Sequence, residues 1–439
     1  MWPYIPELLA RPVPRYTSYP TAAEFGPVDS SFHEAGFDDL APDAAVSLYA
    51  HIPFCEKICW YCGCNTGAAN RAHRLSAYLD ALHCEIETVS ERLGNRRPVT
   101  QIAFGGGSPN AIDPVDFVRL LDHLFIAFDA FDARLSTELD PRSLTDEWTA
   151  VLGRAGFSHA SLGVQTFDPE LQARIGRIQP TDSIKRAVDG LRRNGVTSLN
   201  FDLMYGLPGQ HSAMLAETLD QAVALRPDRI ALFGYAHLPD MIKRQRQIDD
   251  SDMPDARGRF DMAALGFELL VSAGYVPIGF DHFALPGDGL TRAYRAGRMR
   301  RNFQGFTDDD CAALIGLGAS AISSFPDRLV QNEKNSGRYR TIAGDHRLVA
   351  ERGTMRDAMD RRRASVIEHL LCTGEADMGD LELTGAMRSD IVRFSELGLV
   401  DTKGDHIRIT PDGRPYGRVI AGLFDAYRAP QEKRFSSAI

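Results

Sequence analysis

The sequence has 439 residues, of which 44% are hydrophobic and 25% are charged, and its formal net charge at pH 7 is −10. This composition is ordinary for a folded water-soluble protein, and the length exceeds that of a single average domain. No apolar run reaches the ~18 residues of a membrane span, and an acidic chain is not expected to bind nucleic acid, which needs a basic face.

Residues 1–44 are rich in Pro, Tyr and Phe and show no clear period, so we predict an extended N-terminal arm. Its most patterned stretch is Pro14-Arg-Tyr-Thr-Ser-Tyr-Pro20. From its position and composition we hypothesise that the arm, with Tyr16 and Tyr19, covers the mouth of a cavity.

From residue 45 onward, short apolar strands alternate with amphipathic helices. This alternation predicts a parallel sheet with right-handed crossovers. Six strand–helix units are fewer than the eight of a complete TIM barrel, so we expect an open, partial (β/α)6 barrel in an α/β fold. The predicted strands are Ser47–Ile52, Gln101–Phe104, Leu135–Leu139, His159–Val164, Ser198–Met204 and Arg229–Phe233, with Tyr275–Phe280 as a further candidate. The helices are Arg74–Arg92, Pro114–Phe128, Asp182–Asn194 and Ser212–Leu225.

Four of the seven cysteines lie in the loop that follows the first predicted strand. Cys55, Cys59 and Cys62 have the spacing Cys-x3-Cys-x2-Cys, which lets three thiolates of one loop converge on one metal centre. Three thiolates on a four-iron cluster leave one iron free for a non-protein ligand, whereas Cys64 as a fourth ligand would close the site. The spacing therefore predicts an iron centre that takes part in chemistry.

A disulfide framework and a structural zinc site are two other possible roles of these cysteines. A disulfide framework is not expected in a long chain with no export signal, and structural zinc usually takes two pairs separated by a dozen or more residues. The remaining cysteines, Cys84, Cys311 and Cys372, stand among apolar neighbours and are interpreted as small buried hydrophobes.

The other unusual residues lie at the carboxyl ends of predicted strands. Because parallel strands of a barrel end on one rim, we expect these residues to lie together with the cysteine loop. They are Gly105-Gly-Gly-Ser108, Glu138, Gln165, Asp202, Tyr205-Gly-Leu-Pro208 and Tyr235-Ala-His-Leu-Pro239.

Residues 346–439 have a different pattern. Predicted helices Ala364–Leu371 and Ser389–Leu397 precede a hairpin that turns at Lys403-Gly-Asp405, and a final helix is predicted over Asp412–Tyr427. This order is typical of a winged-helix-like module, whose mixed charge favours a lid or packing role over DNA binding. We therefore divide the chain into an arm (1–44), a partial barrel with its extension (45–345) and a mostly helical lid domain (346–439).

These motifs resemble the radical S-adenosylmethionine (SAM) superfamily, and within it the oxygen-independent coproporphyrinogen III oxidases. The cysteine loop, with Tyr61 before its third cysteine, carries the resemblance to the superfamily. The segments that narrow it to the family are Pro14-Arg-Tyr-Thr-Ser-Tyr-Pro-Thr21, Tyr49-Ala-His-Ile-Pro-Phe-Cys55, Cys62-Gly-Cys-Asn65, Gly163-Val-Gln165, Tyr205-Gly-Leu-Pro208, Tyr235-Ala-His-Leu-Pro239, Asp281-His-Phe-Ala284 and Arg301-Asn-Phe-Gln-Gly305.

The resemblance implies a reaction and its cofactors. Cys55, Cys59 and Cys62 would hold a [4Fe–4S] cluster whose open iron binds SAM, and cleavage of SAM would give a 5′-deoxyadenosyl radical. The radical would take hydrogen from a substrate propionate, and loss of carbon dioxide and one electron would leave a vinyl group. Two such rounds would convert coproporphyrinogen III to protoporphyrinogen IX.

The resemblance also assigns site residues, including two SAM molecules. The cluster-bound SAM would contact Tyr49, Gly106, Glu138 and Ile322, and the second would contact Tyr61, Gly107, Ser108, Gln165, Arg177, Asp202 and Ala236. Cys64 and Gln304 would be catalytic residues on the substrate side. Arg301, from the dense group Arg295, Arg298, Arg300 and Arg301, would bind a substrate carboxylate, for which the guanidinium fork is well suited.

The expected partners are coproporphyrinogen III and a reduced flavodoxin- or ferredoxin-type electron donor, with a monomeric protein in the cytoplasm. Three alternatives are less favoured, the first by the presence of Cys64 and of the Tyr-Thr-Ser-Tyr-Pro arm and the last by the six barrel units and the acidic charge. They are a haem chaperone, which typically has Phe at the position of Cys64, an anaerobic haem-degrading relative and a winged-helix iron–sulfur regulator.

Overall fold

A computed structural model describes residues 2–10, 12–69, 72–94 and 97–428. Its centre is a run of six neighbouring strands that pair in parallel and in chain order. This arrangement confirms the predicted partial barrel. The six strands are β1 (Val46–Ile52), β2 (Val99–Gly106), β3 (Arg134–Leu139), β4 (His159–Gln165), β5 (Ser198–Tyr205) and β6 (Arg229–Gly234).

Helices connect these strands, and local signals set their ends. Asp113 caps the helix Pro114–Phe128 by accepting a hydrogen bond from the Val115 amide. Thr145 caps Asp146–Ala155, which ends at Gly156 with a φ of 81°. The connecting helices are Ala72–Leu93, Pro114–Phe128, Asp146–Ala155, Pro169–Arg174, Thr181–Arg193 and Ser212–Ala224, and Ala256–Ser272 follows β6. No helix in the described part of the chain has the length and hydropathy needed to cross a bilayer.

The sheet continues beyond the six barrel strands on both sides, to thirteen strands within the described residues. Next to β1 lie, in order, Ala313–Leu317, Ile322–Ser324, Arg328–Asn332, Ala350–Met355 and Gly26–Pro27. Next to β6 lie His282–Ala284 and Val276–Ile278. The candidate strand Tyr275–Phe280 is therefore present as Val276–Ile278, and it pairs antiparallel with its neighbour rather than continuing the barrel.

The N-terminal arm differs from the extended segment that the sequence predicts. It contains the helices Pro6–Leu9 and Ser30–Asp38 because Leu8, Leu9 and Phe37 join the hydrophobic core. Two of its tyrosines, Tyr16 and Tyr19, are buried against the other end of the chain. The Tyr16 hydroxyl donates to Asp425 at 3.0 Å, and the Ala426 amide donates to the Tyr19 hydroxyl.

The C-terminal region contains the predicted hairpin, with strands Val400–Lys403 and His406–Ile409 and a third strand Glu375–Asp377. Its helices are Ala358–Cys372 and Gly385–Glu396. The predicted final helix over Asp412–Tyr427 is wrong. That segment forms the 3₁₀ turns Arg414–Tyr416 and Gly422–Phe424 around a short helix, Gly417–Ala421, because Pro415 and three glycines disfavour a continuous helix. The three-domain division remains a prediction.

A buried carboxylate fixes the helix Ala72–Leu93 to the strands beside β1. Glu85 accepts hydrogen bonds from the Gly318 amide at 2.7 Å, the Asn332 side chain at 2.7 Å and the Tyr339 hydroxyl at 2.6 Å. Burial raises the pKa of Glu85 to about 7, although these three donors act in the opposite direction.

This pKa predicts a pH dependence of stability. An unfolded Glu titrates near pH 4.3, so between about pH 4.5 and 7 the folded protein holds a proton that the unfolded chain has lost. The contribution of Glu85 to the free energy of unfolding is therefore complete below this window and declines as the pH rises through it. This decline is absent in E85Q. As the pH rises from 5 to 7, the free energy of unfolding of E85Q therefore increases by about 2 kcal/mol relative to that of wild type.

Urea unfolding of both proteins at pH 5 and pH 7 measures this difference. The control is E87Q, since Glu87 on the same helix is half-exposed and forms only long ion pairs with His123 and His346. Equal pH dependence in wild type and E85Q would show that Glu85 stays ionised throughout.

Candidate functional site

A cavity of about 820 Å³ occupies the barrel interior and its carboxyl rim. Unlike a complete TIM barrel, whose interior is filled by branched apolar side chains, this barrel points polar residues such as Ser136, Ser161 and Asn200 into the space. Nearly all of the predicted site residues line it, namely Tyr49, Cys55, Cys59, Tyr61, Cys62, Cys64, Gly106, Gly107, Ser108, Glu138, Gln165, Arg177, Asp202, Ala236, Arg301 and Gln304.

The cysteine loop forms one wall of the cavity. Cys59 is buried, Cys55 and Cys62 are half-buried and Cys64 is exposed. A hydrogen bond from the Cys64 thiol lowers the pKa of Cys62 to about 6, which favours the thiolate that metals bind. Among the described residues, no three His, Cys, Asp or Glu side chains converge on a single metal ion.

Two guanidinium groups converge on the sulfur of Cys59. Arg177 Nη1 lies 3.1 Å and Arg142 Nη2 lies 3.4 Å from it. Both are held by Asp140, which pairs with Arg142 at 2.6 Å and Arg177 at 3.3 Å while all three side chains are buried. Two guanidinium groups at this position would compensate the negative charge of a cluster bound at Cys59. Neither Asp140 nor Arg142 is among the site residues that the sequence predicts.

The glycine-rich turn after β2 connects this network to the loop. The Gly107 amide donates to the Ile52 carbonyl at 2.8 Å, and the Ser108 amide donates to the Phe54 carbonyl at 2.7 Å. The Ser108 hydroxyl donates to Asn110, whose amide group donates in turn to the Asp140 carbonyl at 3.0 Å. Backbone bonds therefore position the cysteine loop directly against the turn.

This close packing leaves no room for a side chain at residue 107. A Cβ there would lie 2.5–2.7 Å from backbone atoms of Ile52 and Phe54. We predict that G107A moves the start of the cysteine loop and lowers SAM affinity and cluster retention by about 10- to 100-fold. Iron content and SAM binding after anaerobic reconstitution test this. The control is G344A, at a helix end where a Cβ meets nothing within 4 Å; equal behaviour of the two variants would refute the steric argument.

Two carboxylates face the cavity from β3 and β5, the strands on either side of β4. Glu138 is the second-to-last residue of β3, and its carboxylate accepts a hydrogen bond from the Gly106 amide at 3.0 Å. It is exposed to the cavity, but the surrounding protein removes bulk water and raises its pKa to about 7. Burial also raises the pKa of Asp202 on β5, against hydrogen bonds from Asn200 and Ser161. Carboxylates so placed can accept hydrogen bonds from an ammonium group or from ribose hydroxyls.

Gln165 reaches the cavity through a distortion of its strand. The register between β4 and β5 shifts between Gly163 and Gln165, and Gln165 has a φ of 66°. A bulge with a left-handed residue redirects a side chain at some conformational cost, and such strain is concentrated at functional sites.

Some predicted residues lie apart from this cavity. Ile322 is on the strand Ile322–Ser324 and does not line it. Of the four grouped arginines only Arg301 lines the cavity, while Arg295, Arg298 and Arg300 are exposed on the surface. Among the isolated cysteines, Cys372 is buried as expected, and Cys84 and Cys311 are half-buried.

Comparisons with known proteins agree with this geometry. The Radical SAM superfamily matches residues 49–222. The oxygen-independent coproporphyrinogen III oxidase of Bradyrhizobium diazoefficiens is 41% identical over 97% of both chains, and that of Paracoccus denitrificans is 42% identical over 94% of both.

The chain belongs to the oxygen-independent coproporphyrinogen III oxidases.

A solved coproporphyrinogen III oxidase of Escherichia coli, described as a radical SAM enzyme, shares the whole fold of this family member. It is 35% identical, and the match covers 97% of this chain and 100% of that one with a TM-score of 0.90. The family uses a [4Fe–4S] cluster and SAM. The residues present fit both groups, because a three-thiol loop lies against a glycine turn that lacks side chains and beside the carboxylate of Glu138.

Proposed function

We propose that this chain oxidatively decarboxylates two propionate side chains of coproporphyrinogen III to vinyl groups without oxygen, giving protoporphyrinogen IX. The observation that carries the proposal is the shared cavity, which joins the cysteine loop to Arg301 and Gln304 at the far wall. Its volume of about 820 Å³ is within the range of ligand pockets that enclose a large organic molecule. Full-length relatives with this activity in their names support the same reaction.

When bound, the cluster and SAM supply a 5′-deoxyadenosyl radical that abstracts hydrogen from a propionate. The chain's own residues prepare the site for this chemistry. Cys55, Cys59 and Cys62 would hold the cluster, with Arg142 and Arg177 compensating its negative charge at Cys59.

The SAM contacts are part of the proposal. The backbone of Gly106 and the carboxylate of Glu138 would receive the amino acid and ribose groups of the cluster-bound SAM, together with Tyr49. A second SAM is proposed against another set of residues, all of which line the cavity: Tyr61, Gly107, Ser108, Gln165, Arg177, Asp202 and Ala236.

Three further residues are assigned to the substrate side. We propose that Cys64 is not an iron ligand; it is exposed in the loop and hydrogen-bonded to Cys62, from where it can face the substrate. Gln304 and Arg301 belong to the turn and strand at the opposite wall. There Gln304 would contact the reacting side chain and Arg301 a carboxylate.

The proposed partners follow from the electron balance. Each round needs one electron to cleave SAM, which a reduced flavodoxin or ferredoxin would deliver to the cluster, and each decarboxylation releases one electron to an acceptor. We propose that the enzyme acts as a monomer in the cytoplasm, where its seven free cysteines stay reduced.

Anaerobic turnover tests the proposed function. Reconstituted protein is given reductant, SAM and coproporphyrinogen III, and protoporphyrinogen IX and 5′-deoxyadenosine are quantified. Both products are expected, with two propionates of each substrate molecule converted to vinyl groups. Deoxyadenosine formed without a decarboxylated tetrapyrrole would contradict the proposal and favour a haem chaperone or haem-degrading activity.

A further inference from the structure

Two arginines from distant parts of the chain meet at the cavity wall. Arg15 belongs to the N-terminal arm, and Arg301 lies on the strand Arg300–Asn302. Arg301 Nε donates to the Arg15 carbonyl at 3.2 Å, and both side chains line the large cavity with Thr17 and Gln304. The arm therefore presents Arg15 and Thr17 to the cavity, while Tyr16 and Tyr19 are bonded to Asp425 and Ala426 of the C-terminal region.

Neither of these two guanidinium groups has a close carboxylate partner for its side-chain nitrogens among the described residues. Arg15 lies 3.8 Å from Asp281, whose carboxylate is engaged with His282 at 2.6 Å. The Nη1 atom of Arg301 is buried and has no hydrogen-bond partner among the described residues. Its guanidinium instead stacks on two rings, at 4.9 Å from the centre of Phe280 and 4.3 Å from that of Phe306.

A third arginine adds to the positive charge. Arg418, from the C-terminal region, is buried, and its guanidinium carbon lies 5.5 Å from the centre of the Phe280 ring. Burial and then the charge of Arg15 lower the pKa of Arg418 to about 10. Arg15, Arg301 and Arg418 thus all act electrostatically on Asp281, while Glu368 accepts the backbone N–H of Arg301 at 2.8 Å. A buried cation needs anionic partners, so the Nη1 atom of Arg301, which is unpartnered among the described residues, favours an incoming anion.

We propose that Arg15 and Arg301 together bind one propionate carboxylate of the substrate, so that the arm supplies a substrate ligand as well as covering the cavity. The inference rests on the proposed function and names the residues that orient its substrate. Paired guanidinium groups suit a carboxylate because each offers a fork of N–H donors.

The chemistry indicates which propionate this pair holds. A reacting propionate loses its negative charge as carbon dioxide leaves, and tight ion pairing would stabilise the carboxylate and oppose that loss. The Arg15–Arg301 pair is therefore suited to a propionate that the product retains. Holding it would fix the macrocycle while another propionate faces the radical.

Binding of coproporphyrin III, the fluorescent oxidised form with the same four carboxylates, tests the pair. We expect R15Q and R301Q each to weaken binding by the reconstituted protein about 10- to 100-fold. R15K keeps the charge and should recover part of the loss, and SAM affinity should not change. The control is R119Q, since Arg119 is exposed on the helix Pro114–Phe128.

Because Arg301 is largely enclosed, R301Q alone could fail through misfolding, and the more exposed Arg15 keeps the test decisive. Unchanged coproporphyrin affinity in R15Q would overturn the inference, and so would an equal loss of SAM affinity, which would indicate a general disturbance of the cavity. Either result leaves the proposed function standing, provided that wild-type protein decarboxylates coproporphyrinogen III. Absence of that activity in wild type would instead refute the function itself.

Discussion

C59A is expected to remain folded but to lose its iron–sulfur cluster and all turnover. Cys59 is the buried cysteine of the loop, and its sulfur is the one that two arginines approach. Its removal leaves two cysteine ligands for a cluster that needs three, with Arg142 and Arg177 facing an alanine. Iron and sulfide per chain after anaerobic reconstitution should fall from about four to below about one.

Two matched cysteine variants complete this experiment. C64A should keep its iron and lose turnover, because Cys64 is proposed to act beside the cluster rather than on it. C84A, on the helix Ala72–Leu93, should match wild type in both measurements. Loss of iron in C64A would show that Cys64 is a fourth ligand, and full iron retention in C59A would refute the assignment of the loop.

D140A is expected to have the largest effect on stability. Asp140 is the shared carboxylate of Arg142 and Arg177, and the side chains of all three are at most 9% exposed. Removing one member of a buried ionic group leaves uncompensated charge and typically costs about 3–5 kcal/mol. The variant should therefore have a much lower urea midpoint, and its iron content should fall because both arginines lose their position at Cys59.

Asp308 provides the control for this variant. It pairs with Arg134 at 2.5 Å, at the amino end of β3, whereas Asp140 follows the carboxyl end. D308A should lose some stability but retain its iron, since the pair is more exposed and remote from the cysteine loop. Equal iron loss in both variants would mean that general destabilisation, not the position of the two arginines, controls the cluster.

The barrel was predictable because its signals are local. Apolar runs of strand length alternate with amphipathic helices, and capping residues such as Asp113 mark their ends. The prediction failed where long-range packing overrides local pattern. The arm is partly helical because Leu8 and Phe37 pack in the hydrophobic core. The segment after Asp412 does not form the predicted helix.

The same distinction applies to the site. Glu138 and Asp202 were predicted to lie in one site because they are near the carboxyl ends of parallel strands, and these ends lie on one rim of a barrel. Arg142 and Asp140 were missed as functional residues because an Arg–Asp pair two residues apart is usually a surface feature. Only their burial against Cys59 gives them a role.

The cysteine loop, the barrel class and the family resemblance are predictable from the amino-acid sequence, because each depends on spacing along the chain. Which charged groups meet depends on tertiary packing. This packing brings Arg15 to Arg301 across 286 residues and Arg177 to Cys59 across 118. Such pairs leave no periodic trace in the sequence, since their contact is fixed by how the sheet and the two chain ends pack around one cavity.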